Sequence, residues 1–463
     1  MAAFSSLETA LSALRYNRVA MDVASNNIAN AGTDGYVRRR AEGVSVGAPD
    51  RPAMWSRYEG AGGGVAVGSI NRMTDPLLDI RARREHGNQA YLDIRQAVLE
   101  RVETGIGEPG DSGVAAALAD FRSAWHDLAN NPGSDAARSQ VLGRATALAD
   151  AIRVQSRNVE AEAGDQRMRL LSDVAEVNTV ASDLAATNAS IAVATLNGTD
   201  AGILLDKRDQ LAMRLSALTG ATTTARADGG FDVSVNGVPL VVGKTAGTLD
   251  IATGVTPTGG ADGNPVTFSI TDGSGTTALP AGMTGEIGGV ADLLSTTLPA
   301  YAAGLGAVAK ELADTVNAQH ALGFDAAGNP GTALFAYNAA DPAGSLSVAI
   351  TDPDLVAASA VAGGGLDGGN ATALSNLTAV EGSYQRLVNG FGTEVASVRR
   401  LAANQQVLTS QVDGSREQLS GVSLDEEMVS MLAAQRAYEA ASRVMTTVDS
   451  VLDTLINRTG VTR

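Results

Sequence analysis

No cysteine occurs among the 463 residues, which rules out disulfides, thiolate metal sites and cysteine nucleophiles. Histidine is nearly as scarce. His86, His126 and His320 stand far apart, with no partner at ligand spacing, and read as surface or packing residues. Aromatic residues make up 4% of the chain, too few for one thick ring-filled core, while glycine is plentiful at 52 residues. Long, thin elements suit that composition. Positive charge is also short: 34 Lys and Arg against 51 Asp and Glu leave −17, which argues against a nucleic-acid partner. No apolar run approaches the ~18 residues of a membrane span. No basic residue precedes Arg15 and no apolar leader segment follows the first Met, so no secretory signal peptide is expected. These features alone suggest a soluble cytosolic protein of about three domains, at ~150 residues per domain.

Periodicity organises what is present. Phe4, Leu7, Leu11, Leu14, Arg18, Met21, Ser25 and Ile28 alternate steps of three and four, a heptad seam interrupted by Arg18 and Ser25. Gly32 and Asp34-Gly35 should end that helix near Asn30. Residues 36–74 look extended, with alternating Val44, Val46, Val65 and Val67 and a Gly62-Gly63-Gly64 tip. From Tyr36 to Arg84, nine Arg against five Asp or Glu give a local +4 in an otherwise acidic chain. Three apolar stripes follow: Leu118, Phe121, Trp125 and Leu128; Val141, Ala145, Leu148 and Ile152; and Val174, Val177, Ala181, Leu184 and Ile191. They predict long helices packed side by side over 76–219.

Residues 221–285 switch to Thr, Gly, Val and Asp, with alternating Phe231, Val233 and Val235 and an Asn236-Gly237 turn, and predict a small, outward and dispensable β unit. A helical pattern returns over 288–320, a Gly-rich irregular stretch covers 323–371, and a last helical block begins near Ala373. The C-terminal seam runs through Leu424, Met428, Met431, Gln435, Tyr438, Met445, Val448, Leu452 and Leu455, with Ser423 and Glu426 as a capping-box signal. The fold class is α+β: long terminal coiled-coil helices and an elongated helical domain with a small inserted β domain. The expected segments are 1–75, 76–220, 221–285, 286–422 and 423–463. The apolar members of the two terminal seams are the candidate subunit-packing residues, and a polar partner for the Tyr438 hydroxyl is expected at Arg18 or Ser25.

Motifs that could carry chemistry are weak. Gly105-Ile106-Gly107-Glu108-Pro109-Gly110 fits G-x-G-x-x-G but follows a helical pattern, and reads as a helix–helix turn. Gly243-Lys244-Thr245 follows Val-Pro-Leu-Val-Val, which suits a strand and not a phosphate nest. Asp325–Gly331 lacks the alternating carboxylates of a calcium loop. Arg38-Arg39-Arg40, without interleaved aromatics, reads as a solvated or partner-facing surface. Nothing points to a catalytic, cofactor or metal site.

Several segments together resemble one family. Ser25-Asn26-Asn27-Ile28-Ala29-Asn30 with Thr33-Asp34-Gly35-Tyr36 is similar to the N-terminal signature of bacterial flagellar axial proteins. Leu424-Asp425-Glu426-Glu427 with Gln435-Arg436-Ala437-Tyr438 is similar to the matching C-terminal one. Inside the chain, Leu204–Leu211 with Leu215-Ser216, Asp228-Gly229-Gly230, Gly237–Gly243, and Asn317-Ala318-Gln319-His320 leading to Leu334-Phe335 resemble the hook-associated protein 1 family. The resemblance implies an extracellular structural protein exported through the flagellar type III channel without a cleaved signal. It implies a ring, expected to hold eleven subunits, between hook and filament. The partners it implies are further copies of the chain, hook protein, the second junction protein (hook-associated protein 3), and an export chaperone at the C-terminal helix, with no nucleic acid and no membrane. Another axial protein, such as hook or distal rod, is the alternative within this class. Outside it, the alternatives are a secreted adhesin and an enzyme with an unrecognised carboxylate site. The terminal heptads discriminate these, because only assembly requires them.

Overall fold

The computed structural model describes residues 2–47, 62–110, 113–363 and 366–457, with side chains from residue 6 to residue 454. The chain opens with helix α1 (Ala2–Ala29), then a two-stranded antiparallel ribbon of β1 (Arg39–Ser45) and β2 (Val65–Arg72). The three glycines expected at the ribbon's tip instead lengthen its ladder. Gly63 donates to the Val46 carbonyl (2.8 Å) and Val46 donates to that of Gly64 (2.9 Å). The tip itself falls within 48–61, outside the described residues.

Four helices follow: α2 (Pro76–Ile106), α3 (Val114–Asn130), α4 (Asp135–Leu196) and α5 (Gly202–Thr219). Their ends follow from local chemistry. Asp75 caps α2 by accepting from the Leu77 N–H (2.8 Å), with Pro76 in the first turn, and Gly107 closes it in the left-handed conformation. The apparent dinucleotide motif is this helix terminus. Ser134 caps α4.

Strands β3 (Thr222–Ala225), β4 (Phe231–Val235), β5 (Val238–Val242) and β6 (Thr245–Ala246) form one antiparallel sheet. Strands β7 (Thr248–Thr253), β8 (Thr267–Asp272) and β9 (Gly275–Ala278) form a second. Asn236 and Gly237, both at positive φ, make the tight β4–β5 turn, and Gly243-Lys244 turns β5 into β6. Helix α6 (Gly285–Asp292) passes through a single π turn into α7 (Leu298–His320). The described residues of the irregular stretch include β10 (Phe335–Ala336), the one-turn α8 (Pro342–Ser345), β11 (Ser347–Val348), a single 3-10 turn (Pro353–Leu355) and α9 (Gly369–Ser375). Helices α10 (Ala379–Ser420) and α11 (Leu424–Asn457) complete the chain.

Two hydrophobic cores lie along the helical body, and α4, α7 and α10 thread both. The first holds Val177, Leu184, Leu298 and Val395; the second holds Leu148, Ile152, Leu312 and Tyr384. At ~1.5 Å per residue, the 62 residues of α4 make a spine roughly 90 Å long. The second and third apolar stripes of the sequence are two successive stretches of this one helix, one in each core.

The β unit is not an appendage. Val233, Val235, Leu240, Val241, Leu249, Phe268 and Ile270 belong to the same buried cluster as Leu99 of α2 and Leu184 of α4. Asn188 of α4 stitches it down, donating to the carbonyls of Phe231 and Gly243 (both 2.8 Å). These contacts weigh against a dispensable unit: alternation marked the strands, but their inner faces cover helices.

His320 is a packing residue, fully buried. Its Nδ1–H donates to the Thr332 carbonyl (2.6 Å) while Nε2 accepts from the Ala357 N–H (2.9 Å), and burial holds its pKa below the usual range. Neighbouring Asn317 donates to the Phe335 carbonyl (2.8 Å), and its Oδ1 accepts from the N–H groups of Leu334 and Phe335. The Asn317–His320 block thus pins the irregular stretch to the end of α7.

Candidate functional site: the joint of the chain ends

Residues from the two terminal signatures meet in one buried network. Helices α1 and α11 lie against each other, and the last turn of α1 reaches the first turn of α11, so they run antiparallel. Asn27 is 1% exposed and Glu427 3%. Asn27 Nδ2 donates to Glu427 Oε2 (2.9 Å) and to the Arg39 carbonyl (2.8 Å). Its Oδ1 accepts from the Arg39 N–H (3.1 Å) and the Tyr36 hydroxyl (2.8 Å). Arg38 Nε donates to Glu427 Oε1 (2.7 Å) and its Nη1 to Glu426 Oε2 (2.8 Å). The Arg38 N–H also donates to the Ser420 carbonyl (3.0 Å) at the end of α10. Four hundred residues of sequence separate Asn27 from Glu427. A buried carboxylate needs such paired donors to remain ionised. Glu426, expected in a capping box, is used as an Arg38 partner instead.

A second joint fixes the ribbon to the body. Arg39 and Arg72 face each other across β1 and β2, a like-charge pair that would repel. Asp206 of α5 resolves it by accepting from Arg39 Nη2 and Arg72 Nε (both 2.9 Å). Asp209 accepts from Arg72 Nη2 (2.8 Å). Burial opposes the charge of Arg72, but the two aspartates outweigh it and raise its pKa. Gly202 lets Arg39 cross the start of α5, because a Cβ there would lie 2.6 Å from the guanidinium carbon. Gln210 Nε2 donates to the Asp34 carbonyl (2.6 Å), and Gly35, at φ 73°, leaves the room it needs. Two of the three arginines of the basic run are therefore engaged within the chain, and Arg40 alone is exposed.

The terminal seam differs in detail from the one expected. At the centre of the α1–α11 contact lie Ala10, Ala24 and Asn27 on one helix and Glu427, Ala434 and Ala441, seven residues apart, on the other. Small side chains let the two backbones approach closely, and alanine is a weak signal in a hydrophobicity pattern. Leu7, Leu14, Met21, Ile28, Met431, Met445, Val448 and Leu452 flank this centre, half-buried. Leu11, Leu424, Met428 and Tyr438 are exposed, as are Arg18 and Ser25. Among the described residues no hydrogen bond joins Tyr438 to Arg18 or Ser25. Phe4 and Leu455 have side chains outside the described residues. Val429, Leu432, Val444 and Val451, not named from the sequence, add exposed apolar surface to α11.

A model of the flagellar hook-associated protein FlgK helical domain matches residues 99–335, just over half of the chain. The chain belongs to the flagellar hook-associated protein FlgK family. Models of the flagella basal body rod protein and of the flagellar basal body rod FlgEFG protein C-terminal region match residues 7–36 and 417–458, the two segments joined by Asn27 and Glu427. Flagellar hook-associated protein 1 of Bacillus subtilis is 29% identical, over 99% of both chains. That of Escherichia coli K12 is 24% identical over 97% of this chain and 99% of its own. The fold matches the flagellar hook junction protein FlgK from Burkholderia pseudomallei with a TM-score of 0.64 at 18% identity, over 73% of this chain and all of that one. Among the described residues no helix is long and apolar enough to cross a membrane.

Proposed function

We propose that the chain is the subunit of the junction between flagellar hook and filament, and that it polymerises through its paired terminal helices. The observation that carries this reading is the Asn27–Glu427 joint. It binds the two axial signatures into one antiparallel helix pair that leaves Leu11, Leu424, Met428 and Tyr438 exposed. An isolated helix pair of this kind is marginal, and neighbouring copies would cover the exposed Leu424, Met428 and Val429. The ring of eleven copies, the contacts with hook protein and hook-associated protein 3, the chaperone at α11, export without a cleaved signal, and the extracellular location belong to the same reading. So does the absence of catalysis: the chain works by assembly. The rod-protein models match only the ends, which all axial proteins share, so the helical-domain match favours the junction over hook or distal rod.

The test is addition of purified chain to isolated hooks. Full-length protein should cap them, and a chain lacking residues 1–30 and 424–463 should fold and fail to cap. Equal capping by the truncated chain would sink the reading.

A further inference from the structure

At the seam of α4, α5 and α6, three carboxylates meet two guanidiniums. Arg169 of α4 pairs with Glu286 in the first turn of α6. Arg214 of α5 grips Glu176 of α4 through two bonds (2.6 and 2.7 Å) and stands 4.0 Å from the second oxygen of Glu286. Asp173 of α4 is the third acid, 8% exposed, and its Oδ2 is buried without a hydrogen bond. Arg169 Nε stands 3.7 Å from that oxygen but is shared with Glu286. With every group ionised the cluster holds one surplus negative charge, and a single proton balances it.

We propose that Asp173 is a built-in proton-binding site that tightens the packing of α4 on α6 in mild acid. The groups that face it are Arg169 and Glu176 on its own helix, Arg214 on α5 and Glu286 on α6. Burial, then the Glu286 charge, raises the Asp173 carboxyl to about 6, while Arg169 opposes the rise. The sign follows from linkage. The folded chain holds this proton more tightly than the unfolded one, so stability grows as pH falls through about 6 and the gain is complete below the unfolded value, ~3.9. Ionised Asp173 is the strained state and protonated Asp173 the relaxed one. The seam lies over the first core, so the device acts on the helical body and its β unit.

The test compares wild type with Asp173→Asn, which mimics the protonated acid, in denaturant unfolding at about pH 7.5 and about pH 5. Measured against the variant, the wild-type unfolding constant should fall roughly tenfold between the two. The variant should be more stable than wild type at the higher pH and lack that tenfold relative gain on acidification. His320, held neutral, loses stability in acid in both proteins and cancels in the difference. A variant that keeps the whole wild-type gain overturns the proposal, as does one less stable than wild type at the higher pH. Should the variant fail to fold, a carboxyl-carbon NMR titration of the wild-type chain decides. A midpoint near 6 supports the site, and a midpoint in the ordinary aspartate range, about 4, removes it.

Discussion

Replacing Arg38 by alanine should release both ends of the chain at once. Glu427 would keep only Asn27 as a donor while remaining 3% exposed. Removing one member of a buried ion pair costs about 3–5 kcal/mol. Arg38 is itself 24% exposed, which brings the estimate down to about 2–4 kcal/mol. The loss is local, because neither core includes α1, the ribbon or α11. Hydrogen exchange should show roughly 30-fold to several-hundred-fold faster exchange along α1 and α11 together, with the amides of α4 and α7 unchanged. The thermal transition of the body should stay in place. Arg38→Lys should rescue only part, since one ammonium cannot span Glu426 and Glu427 as the guanidinium does. Arg38→Ala combined with Glu427→Gln should recover protection by removing the uncompensated charge. Unchanged exchange in the terminal helices of Arg38→Ala would refute the reasoning, as would faster exchange in only one of them.

Asp206→Ala should leave Arg39 and Arg72 facing each other unneutralised and loosen the ribbon by about 2–4 kcal/mol, read as proteolytic cleavage within residues 30–75 while the body resists. Replacing 221–285 by a short linker should unfold the body. Seven fully or nearly buried side chains at about 1.5–3 kcal/mol each are comparable to the whole net stability of about 5–15 kcal/mol, and a normal melt of that variant would contradict the shared core. Changing Met431 and Met445 together to Asp should leave the body's melting temperature intact and abolish capping of isolated hooks; capping at the wild-type rate would remove this face from the assembly interface.

The helices were legible because their apolar residues recur at three and four, whereas the caps at Asp75-Pro76 and Ser134 that set their ends were not read from the sequence. The strands were legible from Phe231, Val233 and Val235 and the turn at Asn236-Gly237. What the strands cover was not, since alternation shows that one face is buried and says nothing of the surface that buries it. The centre of the terminal seam was hidden for a related reason. Ala434 and Ala441 permit close approach without standing out as apolar, so the eye follows Met431, Tyr438 and Met445. Glu427 lay inside a quoted signature, but its pairing with Asn27 and Arg38 is a matter of tertiary placement. The basic run at Arg38–Arg40 looked like a surface because charge composition cannot reveal a partner hundreds of residues away.

Labelling the chain in intact cells tests the central claim most directly. An epitope on the exposed Gly273-Ser274 turn between β8 and β9, detected by gold in electron micrographs, reports where along the flagellum the protein sits. The account predicts one narrow band of label at the boundary of hook and filament. Label spread along the hook, confined to the rod, or absent from flagella would contradict it.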